Sequence, residues 1–474
     1  MALISETSSN NYRTVSFQLI LGFCLFFGAL KLGTIIVTVV SILLCLWPIM
    51  GVRQSIQALS LMVVIKHLNP SLIILSGEFG IISWIILLVA GFRMISYGII
   101  RHYKTLGGIL VFTMMVSVLF VVQPNNYPQV STMKLFIFTY GSSSMILGFA
   151  SLNNNDTNRI IIWLFSLLTS IVLLSLPTFA FPAIAYARNG TGFQGIMSHP
   201  QTFGPMLTPI VSWIISGIFI SKNGKIIKSL IISFILLTLM ILSEARTGIV
   251  AVALSISTTF IIVIIKSKYF LHFRMDRFIV ISILTALVVS VCIVSSPDLR
   301  SRLTGFVFKH QSKNIEQALS SRSGGVESQW NFFLDKPLFG HGFGVPAGGE
   351  AFKIVKVMGV PISAPIEKGF LPTAVLEEVG LMGSVALLYF ILSMAARISK
   401  SGDPRWLAVF FACIFVNVGE MVFFSLGGIG LYFWLWIGLS TKAGNKINDK
   451  KINSPATGVA EPTVWGRIPV RLTS

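Results

Sequence analysis

IIKSLIISFILLTLMILSEARTGIVAVALSISTTFIIVIIK, residues 226–266, decides what kind of protein this is. Two apolar runs, 226–243 and 247–266, are joined by little more than SEARTG (243–248). Each run approaches the ~20 residues that a helix needs to cross a hydrocarbon core. Lys228 near the start of the first and Lys266 at the end of the second are their only charges. Water-facing helices show a polar stripe, and these runs have none, so the solvent they fit is lipid.

Working outward, the same pattern recurs at 17–30, 32–50, 54–66, 71–90, 106–123, 131–150, 159–178, 200–220, 277–296, 371–396, 405–419 and 421–440. That makes fourteen segments, or twelve if the short 54–66 and 405–419 are re-entrant or merge with neighbours. Charged residues make up 11% of the 474 and hydrophobic ones 54%. A soluble domain carries about 25% charged residues, so this chain is not one. The expected fold is all-α, a polytopic integral membrane bundle of 12–14 spans with one large periplasmic loop.

The formal charge of +19 would suggest nucleic acid in a soluble protein. Here it reads as topology, because short cytoplasmic loops collect Lys and Arg. With the amino terminus inside and every segment crossing, 22 basic residues fall on the cytoplasmic side. Five fall in short outer loops: Lys31, Lys66, Lys134, Arg188 and Arg246. The rest lie in 297–370, a loop long enough to translocate regardless of charge. Both termini are therefore expected in the cytoplasm. No small-residue cleavage site separates 17–30 from the next run, so an uncleaved first span is expected. The chain divides into an amino-terminal bundle (1–296), the outer loop (297–370), carboxy-terminal helices (371–440) and a disordered cytoplasmic tail (441–474). Cys24, Cys45, Cys292 and Cys413 stand singly in apolar runs and read as packing residues. No metal or cofactor is expected, and GxxxxGK[ST], HExxH and GxSxG are absent.

On this topology several polar groups emerge on the outer face. Arg188 and His199 lie in ARNGTGFQGIMSHPQ (187–201), Arg246 in SEARTG, and Arg322 in the long loop before Trp330 and KPLFGHGFG (336–344). Glu367 and Lys368 close that loop, and Glu377 and Glu378 open the next span. Arginine is always charged and grips phosphate oxygens with a planar fork, so Arg188, Arg246 and Arg322 suit a diphosphate whose lipid tail lies in the membrane. Plainer roles compete: Arg246 snorkelling to the interface, His199 capping a helix, His341 in a turn, and Glu377 and Glu378 answering a helix dipole. Glu78 and Glu420 read as interfacial.

Taken in order, HPQ (199–201), SEARTG, Arg322 with Trp330, PLFGHGFG (337–344) and LEEVGLMGS (376–384) resemble the O-antigen ligase and O-antigen polymerase superfamily over roughly 180–400. The resemblance implies a metal-independent membrane glycosyltransferase at the outer face of the bacterial inner membrane. Its partners would be an undecaprenyl-diphosphate-linked oligosaccharide, an acceptor glycan or glycolipid, membrane lipid and other polysaccharide export proteins. The family carries a His-Asn pair shortly before the Glu-x-Gly of its last large helix. Here Glu378-Val379-Gly380 is present, but the upstream stretch reads Glu367-Lys368-Gly369-Phe370. That departure favours an exopolysaccharide or O-antigen polymerase over a ligase to lipid A-core. It makes Glu367 the expected base in place of histidine, with Lys368 adding to the cationic clamp. A lipid-linked glycan flippase and an export scaffold are the other classes. A flippase would carry its ionisable groups near the midplane.

Overall fold

The computed structural model describes residues 6–29, 34–73, 77–123, 125, 127–220, 226–266, 315–345, 347, 354–357, 360–363 and 368–453. The helices are α1 (Glu6–Ala29), α2 (Thr34–Leu46), α3 (Val52–Lys66), α4 (Gly77–His102), α5 (Gly107–Val122), α6 (Pro128–Ser151), α7 (Asn154–Ser175), the single turn α8 (Pro182–Ala185), α9 (Pro200–Ile218), α10 (Ile226–Leu242), α11 (Arg246–Ile265), α12 (Ile315–Asp335), α13 (Leu371–Ser399), α14 (Pro404–Phe415) and α15 (Gly430–Asn453). A two-stranded antiparallel hairpin, β1 (Val355–Val357) and β2 (Val360–Ser363), interrupts the all-helical pattern inside the long loop.

Helix starts follow local chemistry. Proline stands in the first turn of α6, α9, α13 and α14, where a missing N–H leaves no bond unmade. Asn153 caps α7 by accepting from Asp156 N, and Asp403 caps α14 by accepting from Arg405 N.

Four helical stretches are long and apolar enough to cross a membrane: Phe79–Val122, Asn154–Ala180, Arg246–Ile265 and Leu371–Ser399. Ile36–Met50, Ile226–Leu242 and Pro404–Val418 are shorter apolar helices. The chain is a helical membrane protein. The segment expected at 277–296 lies outside the described residues. The two short segments each form a helix of their own. With 15 and 12 residues, α3 and α14 extend about 22 and 18 Å at 1.5 Å per residue, and α14 is buried from Trp406 through Cys413.

The segment expected at 421–440 is helical only from Gly430, and its helix runs on to Asn453, past the boundary drawn at 440. The stretch before it turns back without helix. Asn417 Oδ1 accepts from Val422 N and Phe423 N, and Lys66 Nζ donates to Gly427 O at 2.7 Å. Irregular backbone at membrane depth needs such protein partners.

Loops that alternation assigns to one side do meet. At one end Arg53 pairs with Asp156 at 2.9 Å, Arg397 donates to Thr105 O, Lys266 to Ser399 and Lys442 to Ala150 O. At the other end Ser198 N donates to His67 O, Asn69 N to Ile196 O, Phe193 N to Leu242 O and Lys134 Nζ to Gly344 O. The second end therefore gathers 67–73, 186–199, 243–245, 336–347 and 419–429.

Candidate functional site

Two structures occupy that end. The first is the glycine loop 336–347. Gly340, Gly342 and Gly344 all have positive φ, as does Gly380, which breaks α13. The loop and the break are spliced together: His341 N donates to Glu377 O, Gly342 N to Glu378 O, Leu381 N to Pro337 O and Met382 N to Leu338 O. A Cβ at Gly340 would lie 2.6 Å from Glu378 O, and one at Gly380 would lie 2.5 Å from Leu338 O. Only glycine permits both the left-handed backbone and this approach. Phe343 fixes the loop from below, packing on Phe112, Phe138 and Phe424 with a ring separation of 5.0 Å to the last.

The splice positions an ionic cluster. Lys368 Nζ lies 3.0 Å from Glu377 Oε1 and 2.9 Å from Glu378 Oε1, and it donates to Val345 O. Glu377 is 3% exposed and Glu378 2%. Glu378 Oε2 accepts from Gly344 N at 2.8 Å, and Glu377 Oε1 accepts from Ala347 N at 3.1 Å. Lys134, on α6, donates to Gly344 O from the other side. Two lysines thus face two carboxylates, which leaves the group formally neutral. Glu377 Oε2 is buried with no hydrogen-bond partner among the described residues. Gln329, on α12, donates to Lys368 O at 2.8 Å and accepts from the Thr373 hydroxyl, tying the loop's helix to α13. Burial holds the His341 imidazole below its usual pKa, so Nε2–H of the neutral ring donates to Phe332 O at 2.9 Å.

The second structure is the arginine loop, 186–199. Asn69 pins it by donating to Ile184 O and Gly195 O. Gln194 accepts from Arg188 N, and Asn189 Oδ1 accepts from Gly192 N. It abuts the α10–α11 turn, where the Thr191 hydroxyl donates to Glu244 at 3.1 Å. Glu244 has φ +53 in that turn. Arg188 is exposed and Arg246, at the start of α11, is partly exposed. The two arginine-bearing segments therefore adjoin.

The other candidates fall as follows. Arg322 lies on the backbone of α12, but its side chain, like the whole of Glu367, lies outside the described residues. His199 caps α9, its Nδ1 accepting from Gln201 N at 3.0 Å, as one of its plainer readings anticipated. Lys368 was assigned to the phosphate clamp, yet its ammonium is directed to Glu377, Glu378 and Val345 O. Glu378 is its partner and the anchor of Gly344. Sequence reasoning missed Lys134 and the pairing of both glutamates. The readable signal was Glu377-Glu378 within an apolar run, since adjacent carboxylates in a membrane helix need cationic partners. Among the described residues no group of His, Cys, Asp and Glu could hold a metal ion.

The bundle, with its loop arginines and its neutralised ionic cluster at one end, is that of a multi-pass membrane protein with polar chemistry at one face. Residues 231–363 match the family model described as O-antigen ligase, which supports a likeness to the O-antigen ligase/polymerase-like proteins over that stretch. The match takes in the SEARTG turn, α12, the glycine loop and the β-hairpin. Among curated proteins none matches the chain.

Proposed function

We propose that this protein polymerises glycan repeats at the outer face of a bacterial inner membrane, moving each from an undecaprenyl-diphosphate donor to an acceptor sugar. The observation that carries the reading is the O-antigen ligase match over 231–363. That stretch contributes Arg246, which the fold sets beside the Arg188 loop. In glycosyl transfer the acceptor hydroxyl attacks the anomeric carbon and negative charge develops on the departing diphosphate. Fixed guanidinium groups stabilise that charge most where water is excluded. Arg188 and Arg246 fill this role, with Arg322 as a third contributor from α12. No metal is required, because lipid diphosphate is already a good leaving group. A polymerase is favoured over a ligase because Glu367-Lys368 stands where the ligases carry a His-Asn pair. The flippase alternative draws on the unwound stretch at 419–429, a feature that transporters also use.

A deletion strain tests the reading. Loss of polymer with accumulation of single lipid-linked repeats on the outer face supports a polymerase. Polymer that forms but is not joined to lipid A-core indicates a ligase, and repeats trapped on the inner face indicate a flippase. A cysteine near residue 320 should react with an impermeant thiol reagent from outside, and one near 270 should not.

A further inference from the structure

We propose that Glu377 is the base that takes the proton of the acceptor hydroxyl, through its Oε2. This rests on the glycosyl-transfer reading above and adds to it the residue that activates the acceptor.

A buried carboxylate oxygen without a partner is costly, and in a native site it calls for a missing ligand, a bound water or a catalytic task. The two glutamates of the cluster differ in this respect. Glu378 has both oxygens engaged, one by Lys368 and one by Gly344 N. Glu377 has only Oε1 engaged, by Lys368 and Ala347 N, while Oε2 is buried and unpartnered among the described residues. The rest of the residue is held firmly. Its carbonyl accepts from His341 N, and it lies three positions before the Gly380 break that the glycine loop fills. A base needs this combination: one oxygen anchored to fix the geometry, the other left for the hydroxyl.

The charged and titratable groups around it come from each packed element. Lys368 precedes α13, Glu378 is its neighbour, Lys134 reaches Gly344 O from α6, and His341 belongs to the glycine loop. The pairing with Lys368 engages Oε1 and leaves the buried Oε2 without a hydrogen-bond partner among the described residues. In the step itself, the acceptor oxygen bonds to the anomeric carbon and the bond from that carbon to the phosphate oxygen breaks. The electron pair leaves with the diphosphate on its lipid, and the hydroxyl proton passes to Glu377 Oε2.

The test uses membranes from the deletion strain carrying the full-length protein, supplied with lipid-linked repeats extracted from that strain. Initial rates of chain extension are read against donor concentration. Glu377→Gln should lower kcat by about 100-fold or more, the scale of general-base catalysis, with KM for the lipid-linked donor unchanged and rates taken per folded protein in the membrane. Glu377→Asp keeps the charge but withdraws the oxygen, and should lose about tenfold. Rates within about twofold of wild type for Glu377→Gln would overturn the assignment. If that variant fails to accumulate, a wild-type rate for Glu377→Asp does so alone. Absence of extension by wild-type membranes would instead remove the transferase reading, before any variant is compared.

Discussion

The arginine loop and the glycine loop sit at the same end of the bundle and treat charge in opposite ways. Loop 186–199 is fixed through backbone and amide contacts, from Asn69, Gln194 and Asn189, which leaves Arg188 exposed and Arg246 partly so. Loop 336–347 is fixed through Gly344 N on Glu378, with Lys368 buried between two carboxylates. The first loop leaves Arg188 open to solvent. The second turns its lysines into the fold. Position at one end of the bundle is therefore not enough to assign a cation to substrate; what holds its loop decides.

The largest effect should come from Lys368→Met, which leaves two buried carboxylates without their cation. Breaking one side of a buried pair costs about 3–5 kcal/mol, and folded protein in the membrane should fall sharply on detergent-resistance or thermal-melt assays. Full abundance would show that the cluster is solvated and the contrast false. Next comes Arg246→Lys, which keeps the charge and loses the fork. It should cost about 2–4 kcal/mol of transition-state stabilisation, roughly 30- to 1000-fold in polymer rate, while stability shifts by less than about 0.5 kcal/mol. An equal loss of abundance would make Arg246 structural as well. Gly380→Ala places a Cβ 2.5 Å from Leu338 O at φ +61 and should destabilise by about 1–3 kcal/mol, read as a lowered melting temperature. The smallest effect is Glu244→Gly in the arginine turn. It relieves a left-handed backbone at the expense of an exposed hydrogen bond to Thr191. The net gain should stay under about 1 kcal/mol, with chain extension unaltered.

The helical membrane class was legible because lipid imposes long uninterrupted apolar runs, and 226–266 shows two of them. Alternation of sides was legible through the uneven distribution of lysine and arginine, and the meeting of Arg53 with Asp156 and of Thr105 with Arg397 follows it. Composition does not set where a helix sits within the bundle, so the near-complete burial of α14 was not legible. Nor does apolarity alone specify helix: Met421 to Ile429 is as hydrophobic as a span, but Gly427, Gly428 and Gly430 let it turn back on Asn417 and Lys66. The adjoining of Arg188 and Arg246 could be anticipated from their shared face. The Lys134–Gly344–Glu378 contact could not, because it spans more than 200 residues and depends on three positive-φ glycines acting together.

The splice between the glycine loop and α13 has a consequence for how the protein is made. Helix α13 completes its hydrogen bonding around Gly380 only with donors and acceptors from Pro337, Leu338, His341 and Gly342. Until those residues arrive, the break would present bare peptide groups to lipid, at several kcal/mol for each one left unpaired. The loop must therefore already be folding back onto α13 when that helix settles at its final depth. Biogenesis at this point is a joint event, and a lesion in 337–342 should show itself as a helix that fails to integrate rather than as a loop that fails to work.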